Sequence, residues 1–511
     1  MNSKYIFITG GIVSPGDMSN FSSSLACLLK ARGFRVAILN LAPYLNHDSS
    51  TLNPNLYGEC YITADGCETP PELGIYERFL EQETSQNNCV TLGNVFQTVC
   101  NKERRGDFNG EKVRFSVHVI NEIKHRITHF ADSGKYDLVV VQLSDCITET
   151  DSLPFIEAIG QLRYEAANAT CSIHMSTLEN DFTAIEPIRK LTMHGLYPDA
   201  VILLTDSKDA MNSVPKIARA GNIPEYSVSI LPTETSSIKA PFVLHNNAVD
   251  LTVLRTLGLN ASEPDLSPWF QLMDKKIEAD ENVPINIAVI GCDSSLKNIF
   301  SLVESLKYAA LRKERTVNVY AIEIGKINSN SAGSLLDGIN GIVIPGQINE
   351  IGEESCIEAL KWSRENDVPT LAIGFGMACM VKEYARNVMK QNDKDLIELS
   401  PTRIGAEPCS LQQSSLAASA YNKAETVIER HHHSFEINKN YTQRLEQAGM
   451  CCSGTTLRTG HVDVVEVPGQ RWFIGTIFNP EYTSTIQAPN PLIADFVCHT
   501  INYHNQKNQN G

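Results

Sequence analysis

The chain has no apolar run that approaches the roughly 20 residues needed to span a bilayer, which argues against membrane-spanning helices. Its first residues, Met1 to Ile8, lack the apolar stretch followed by small residues that marks a signal peptide. They read as a first β-strand, so a cytoplasmic protein without a membrane partner is expected. Positive charge is scarce: 43 Lys and Arg stand against 59 Asp and Glu, for a net charge of −16. Such a balance leaves no basic stripe for a nucleic-acid surface. Cysteine is plentiful, at 14 residues, but has no repeated spacing and no second pair at zinc-ligand distance. A bridge between the neighbours Cys451 and Cys452 would be strained. Cys27, Cys60, Cys100 and Cys498 lie in apolar runs, where buried, reduced thiols are expected. No internal repeat is visible.

What is present is ordinary for a soluble globular protein: 42% hydrophobic and 20% charged residues. A length of 511 residues allows two or three domains, each with its own core. Short apolar runs at 5–9, 35–39, 138–142 and 201–204 have the character of buried parallel strands. Helical patterns at 22–31, 92–99, 117–129 and 187–193 alternate with them, the signature of a doubly wound sheet. Composition shifts at 260–268, and 269–278 has the pattern of a linker helix. A second alternating unit follows, with strands at 286–290, 342–344, 370–373 and 473–478 and helices at 355–365 and 377–389. The polar end, 504–511, reads as a frayed tail.

Several stretches are distinctive: YIFITGGIVS from Tyr5, YERF at 76–79, KERRGD at 102–107, LAIGFGM at 371–377, ERHHHSFEIN at 429–438 and FNPE at 478–481. In order and spacing they resemble CTP synthase over nearly the whole chain. That family couples an N-terminal ATP-dependent synthetase to a C-terminal class I glutaminase. The resemblance implies an α/β chain: a doubly wound, parallel-sheet, P-loop-like synthetase domain over 1–262, a linker helix over 263–283 and a class I glutamine amidotransferase-like domain over 284–511. It also points to pyrimidine nucleotide metabolism.

The catalytic positions implied by the resemblance are altered. The family's elbow is G-x-C-x-G; here its middle position is Gly374, which offers no thiolate. The family's F-H-P-E is Phe478-Asn479-Pro480-Glu481, so the base becomes a neutral amide. Glu481 survives with nothing to orient. The glycines that shape the family's oxyanion hole are replaced at Gln347 and Asn349. Cys379 lies about 140° around and roughly 7.5 Å along the next helix from the elbow, and should point into packing. Arg430-His431-His432-His433 puts His432 where the family has a glutamine-binding arginine; consecutive residues of a regular element cannot all face one metal ion.

The synthetase positions are altered as well. Ser14-Pro15-Gly16-Asp17-Met18-Ser19 stands where the family has S-S-L-G-K-G. Pro15 removes an N–H donor, Asp17 adds an anion and Met18 removes the ammonium group. The plainer reading is that Gly10-Gly11 only lets a strand turn into a helix. By resemblance, Asn40 replaces a second lysine, while Glu72 and Gln142 stand at the magnesium-ligand positions, the latter without its charge. The pyrimidine loop loses its glycines around 144–151, though Glu149 and Asp151 keep acids. The family's UTP-binding lysines fall on 180–186, where Asp181 and Glu186 appear. KERRGD is intact, so Lys102, Arg104, Arg105 and Asp107 are expected at a subunit interface.

The expected function is therefore a catalytically inactive CTP synthase-like protein, a pseudoenzyme acting by assembly or regulation. It would form a homo-oligomer, tetramer or filament, or join an active CTP synthase, and need no cofactor although the family uses ATP and Mg²⁺. Two alternatives stay open: a residual ligase aminating UTP with ATP and free ammonia, and a small-molecule sensor using the former clefts.

Overall fold

A computed structural model describes residues 3–292, 296–346, 352–391 and 395–510. The chain forms two compact units, Met1–Thr51 with Glu72–Phe270, and Leu52–Pro71 with Gln271–Gly511.

The first unit is built on seven strands: β1 Lys4–Gly10, β2 Val36–Ala42, β3 Cys89–Thr91, β4 Leu138–Cys146, β5 Thr170–Thr177, β6 Ala200–Leu204 and β7 Val228–Leu231. Their order is β3-β2-β4-β1-β5-β6-β7, and every pairing is parallel. Parallel strands need both faces covered, and Val139, Val140 and Val141 at the centre are fully buried. The helices used below are α1 Pro15–Ala31, α2 Glu72–Leu80, α3 Leu92–Arg105, α4 Ile120–Ala131 and α5 Asp181–Met193. The helical pattern at 117–129 enters through a π-helical turn, Phe115–Val119. Pro187 sits inside α5, its ring close to Gly11.

The linker pattern is a helix, α6 Ser267–Glu281. Among the described residues the main sheet of the second unit has nine strands: β8 Ile285–Ile290, β9 Val317–Ile322, β10 Gly341–Ile344, β11 Thr370–Ile373, β12 Ile397–Leu411, β13 Thr426–Ile437, β14 Cys451–Thr456, β15 Val462–Glu466 and β16 Phe473–Thr476. Their order is β9-β8-β10-β11-β16-β15-β14-β12-β13. The half from β9 to β16 is parallel and the remainder antiparallel. Side chains alternate across a strand, so Ile287 and Val289 enter one core while Ala288 and Ile290 enter another on the opposite face. Helices α7 Phe300–Arg312, α8 Glu353–Glu365, α9 Phe375–Asn387 and α10 Pro491–Asn510 complete the unit.

Two expectations need correction. The end of the chain is not frayed from residue 504: α10 continues to Asn510. Leu492, Ile493, Phe496, Val497 and Tyr503 give it a buried stripe, and the polar last turns are held by the Lys507 ammonium over the Tyr503 ring and an Asn508–His504 side-chain bond of 2.9 Å. Cys100 is exposed on α3 and Cys498 is only half-buried; Cys27 and Cys60 are buried as expected.

The segment Leu52–Pro71 is the feature that patterning did not foresee. It follows β2 in sequence but belongs to the second unit. It carries a short hairpin, Tyr61–Ile62 against Glu68–Thr69. Glu59 receives both the backbone N–H of Ser301, at 3.0 Å to each carboxylate oxygen, and the Ser301 hydroxyl. It therefore caps the start of α7, where a carboxylate answers unpaired N–H groups and the helix dipole. Arg430 on β13 donates to the Tyr61 hydroxyl at 2.8 Å and to the Ile62 carbonyl at 3.0 Å, while His432 meets Glu68 at 3.0 Å.

Candidate functional site

The elbow is present. Strand β11 ends at Ile373, Gly374 turns the chain and α9 begins at Phe375. Gly374 has φ +53° and ψ −118°, a conformation that strains any residue with a Cβ. Its N–H donates to the Thr476 carbonyl at 2.7 Å. A Cβ placed on Gly374 would lie 3.0 Å from the Gly346 Cα. Asn479 follows β16, and its Nδ2 donates to Glu481 Oε1 at 2.8 Å, both residues being buried. The three positions singled out in the sequence are thus brought into one site, with an amide–carboxylate bond where a base and its orienting acid would stand. Cys379 is fully buried on α9 against Cys356. That sulfur neighbour and burial push its thiol well above the usual range, which disfavours the thiolate. Gly346 is described; Gln347 and Asn349 lie outside the described residues.

The three histidines divide across β13. His431 and His433 share one face, with ring centroids 5.2 Å apart, while His432 points to Glu68 on the other. Among the described residues no group of three or more His, Cys, Asp or Glu could hold a metal ion.

Buried acids gather close by, and Glu429 carries no mark in the sequence because two of its partners, Thr483 and Asn490, lie far along the chain. Glu429 accepts from Tyr421 at 2.6 Å, Thr483 at 2.8 Å and Asn490 at 2.8 Å. Burial pushes Glu429 and Glu481 up to about 7 from an ordinary 4.5, and Glu59 and Glu429 add to the effect at Glu481. Between pH 4.5 and 7 the folded protein therefore holds more protons at these sites than the unfolded chain. Their stabilising contribution is complete below the unfolded value and fades as pH rises through about 7. Glu481→Gln, which cannot ionise, should gain on the unmutated protein by about 2–4 °C in Tm from pH 5 to pH 8. Thermal melts at both values test this; a difference that does not move with pH contradicts it.

In the first unit, the loop after β1 is a helix cap. Ser14 is the N-cap of α1, its Oγ accepting the Asp17 N–H at 3.1 Å and donating to the Asp17 carboxylate at 2.6 Å. Pro15 occupies the first helical turn, where a missing N–H costs nothing. Gly16 is exposed, and Met18 is only 1% exposed, folded back over Gly10. A Cβ on Gly10 would collide with the Met18 sulfur, so glycine here admits a buried thioether. Ser19 Oγ donates to the Pro15 carbonyl at 2.9 Å.

The magnesium-ligand positions join the same cluster. Gln142 Nε2 donates to Ser19 and Ser144, each at 2.9 Å; Ser144 in turn donates to Asn40 Oδ1. Glu72 begins α2 and is buried, which pushes its carboxyl up to about 7. The set offers one carboxylate and one neutral amide, and the oxygens Glu72 Oε2 and Gln142 Oε1 are buried without a hydrogen-bond partner among the described residues. These two oxygens are the ones that would hold a Mg²⁺, with one negative charge fewer than a pair of carboxylates brings. At 180–186, Asn180 caps α5 and Asp181 pairs with Lys216.

KERRGD closes α3. Gly106 takes the left-handed cap with φ +83°. Lys102 pairs with Glu122 at 2.6 Å, and Arg105 with Asp107 at 2.8 Å on the open surface. Arg104 is exposed.

The family model for the CTP synthase N-terminus matches residues 4–259, and that for class-I glutamine amidotransferase matches 296–498. A CTP synthase of Porphyromonas gingivalis is 36% identical over 532 aligned residues, covering 98% of both chains. One of Bacteroides fragilis is 34% identical, over 97% of this chain and 98% of that one. Among solved structures, the glutaminase domain of Trypanosoma brucei CTPS with bound acivicin matches at 24% identity and a TM-score of 0.41, covering 43% of this chain and 94% of that one.

Proposed function

The chain belongs to the CTP synthase family, and from that membership we propose that it has lost both of the family's reactions and acts through assembly, with copies of itself or with an active CTP synthase. The observation that carries the reading is the Asn479–Glu481 bond beside Gly374: neither nucleophile nor base is available for glutamine hydrolysis. The closed loop after β1 supports the same reading for ATP, and no cofactor is required.

Assembly is favoured by what is left at the surface of the first unit. Arg104 and Arg105 are exposed, and close to α3 stand Phe115 and Val117, 50% and 45% exposed, with Phe115 touching Phe96. Arginine beside exposed apolar side chains is the usual composition of an interface anchor. Light scattering at micromolar concentration should give a mass well above the 56.4 kDa of one chain. Arg104→Ala with Arg105→Ala should weaken the assembly by about tenfold or more without unfolding either unit. A monomer for the unmutated protein, with no mixed species on adding an active CTP synthase, would sink the proposal.

A further inference from the structure

A groove of about 340 Å³ opens in the first unit, formed by the loop 83–90, the last turns of α4 and the turn 132–136 into β4. It is separate from the sites discussed so far. β1 and β4 run parallel, with Lys4 opposite Leu138, so the turn before Leu138 and the loop after Gly10 lie at opposite ends of the sheet. Ligand sites inherited by parallel α/β sheets sit at the carboxyl ends of strands, and this groove is at the other end.

Its lining is unusual for a chain of net charge −16. Arg126, His129 and Lys135 face it, against Glu83 as the one acid among the lining residues. Arg126 and His129 stand three apart on α4 and so share a face. The guanidinium is fixed before any ligand arrives: Nε bonds Glu122 at 2.9 Å, and Nη2 bonds Asn94 at 2.8 Å and Thr98 at 2.7 Å. Among the described residues, Nη1 of Arg126, both ring nitrogens of His129 and Nζ of Lys135 form no hydrogen bond or ion pair with the protein. Phe130 and Tyr136, stacked at 5.6 Å and 21°, form an aromatic wall beside these donors. Cations in the last turn of a helix often answer its terminal carbonyls, an effect confined to that turn. Arg126 lies before the last turn of α4 and Lys135 beyond its end, so that explanation does not cover them.

We propose that this groove binds a compact, doubly charged oxyanion, the head group of a small phosphate monoester or dicarboxylate whose body packs on the Phe130–Tyr136 wall. A pre-oriented guanidinium, an ammonium and an imidazole converging on one space are the donors that such a head group takes up. The volume falls within the range of small-molecule sites. The proposal is independent of whether the former catalytic sites are silent.

The test is calorimetric titration of the full chain at low ionic strength with inorganic phosphate and, separately, with malonate. Saturable binding at or below about 1 mM by one of them is expected, and which of the two it is separates phosphate from dicarboxylate recognition. Lys135→Glu, on an exposed turn, should weaken that binding by about tenfold or more. Lys313→Glu, exposed in the second unit, should leave it unchanged. No saturation by either probe, binding untouched by Lys135→Glu, or an equal loss in both variants would overturn the proposal.

Discussion

Incubated with glutamine, the purified protein should release no glutamate above a blank, and Gly374→Cys should not change that. In a hydrolase triad the loss of nucleophile or base alone costs about a millionfold in kcat, and here both are replaced. The cysteine variant restores a thiol but not its base, because Asn479 cannot take a proton and already donates to Glu481. It also meets a backbone suited to glycine, at φ +53°, with its Cβ 3.0 Å from Gly346 Cα. A side chain in such a conformation costs roughly 1–3 kcal/mol, so the variant should melt earlier than the unmutated protein while staying inactive. Glutamate release by the unmutated protein that disappears in Cys379→Ser would refute this reading.

Calorimetry with Mg-ATP should show no saturable heat below about 1 mM. A unit charge repulsion at 4 Å is worth about 4 kcal/mol at an effective dielectric of 20, and loss of the lysine attraction is of similar size. Asp17 holds its carboxylate at the start of α1, and Met18 fills the space over Gly10 with a thioether. Met18→Lys should not restore binding, since the new ammonium would have to enter a site that is 1% exposed while the Asp17 carboxylate stays at the start of α1. Lower stability with no gain in affinity is the expected outcome for that variant. A micromolar dissociation constant for ATP with the unmutated protein would revive an ammonia-dependent enzyme.

The strands were legible because buried parallel strands are short apolar runs, and 138–142 or 370–373 could hardly be anything else. Gly374, Asn479 and Glu481 were legible because strand, turn and helix patterns flank the elbow and the resemblance supplies the rest. Other features depend on distant partners. Glu59 reads as a polar loop residue until Ser301, 242 positions later, turns out to be its partner. Glu429 gives no sign of burial in a strand full of polar side chains. The last turns of α10 look frayed because only Tyr503 marks their buried side. Cys100 sits in an apolar-looking run, yet the buried side of α3 is taken by Val95 and Val99.

The segment Leu52–Pro71 means that the halves of this chain cannot be parted by a single cut. The polypeptide passes between the two units three times, at 51–52, 71–72 and 270–271. A protease nick at 262–266 leaves an amino-terminal fragment that still owns Glu59, Tyr61 and Glu68, all built into the other unit. The two pieces should comigrate on a sizing column under native conditions and separate only in denaturant. A carboxy-terminal fragment made on its own would begin life without the cap on α7 and without the Tyr61 and Ile62 oxygens to which Arg430 donates. Losing one half of the gene would therefore damage the half that remains.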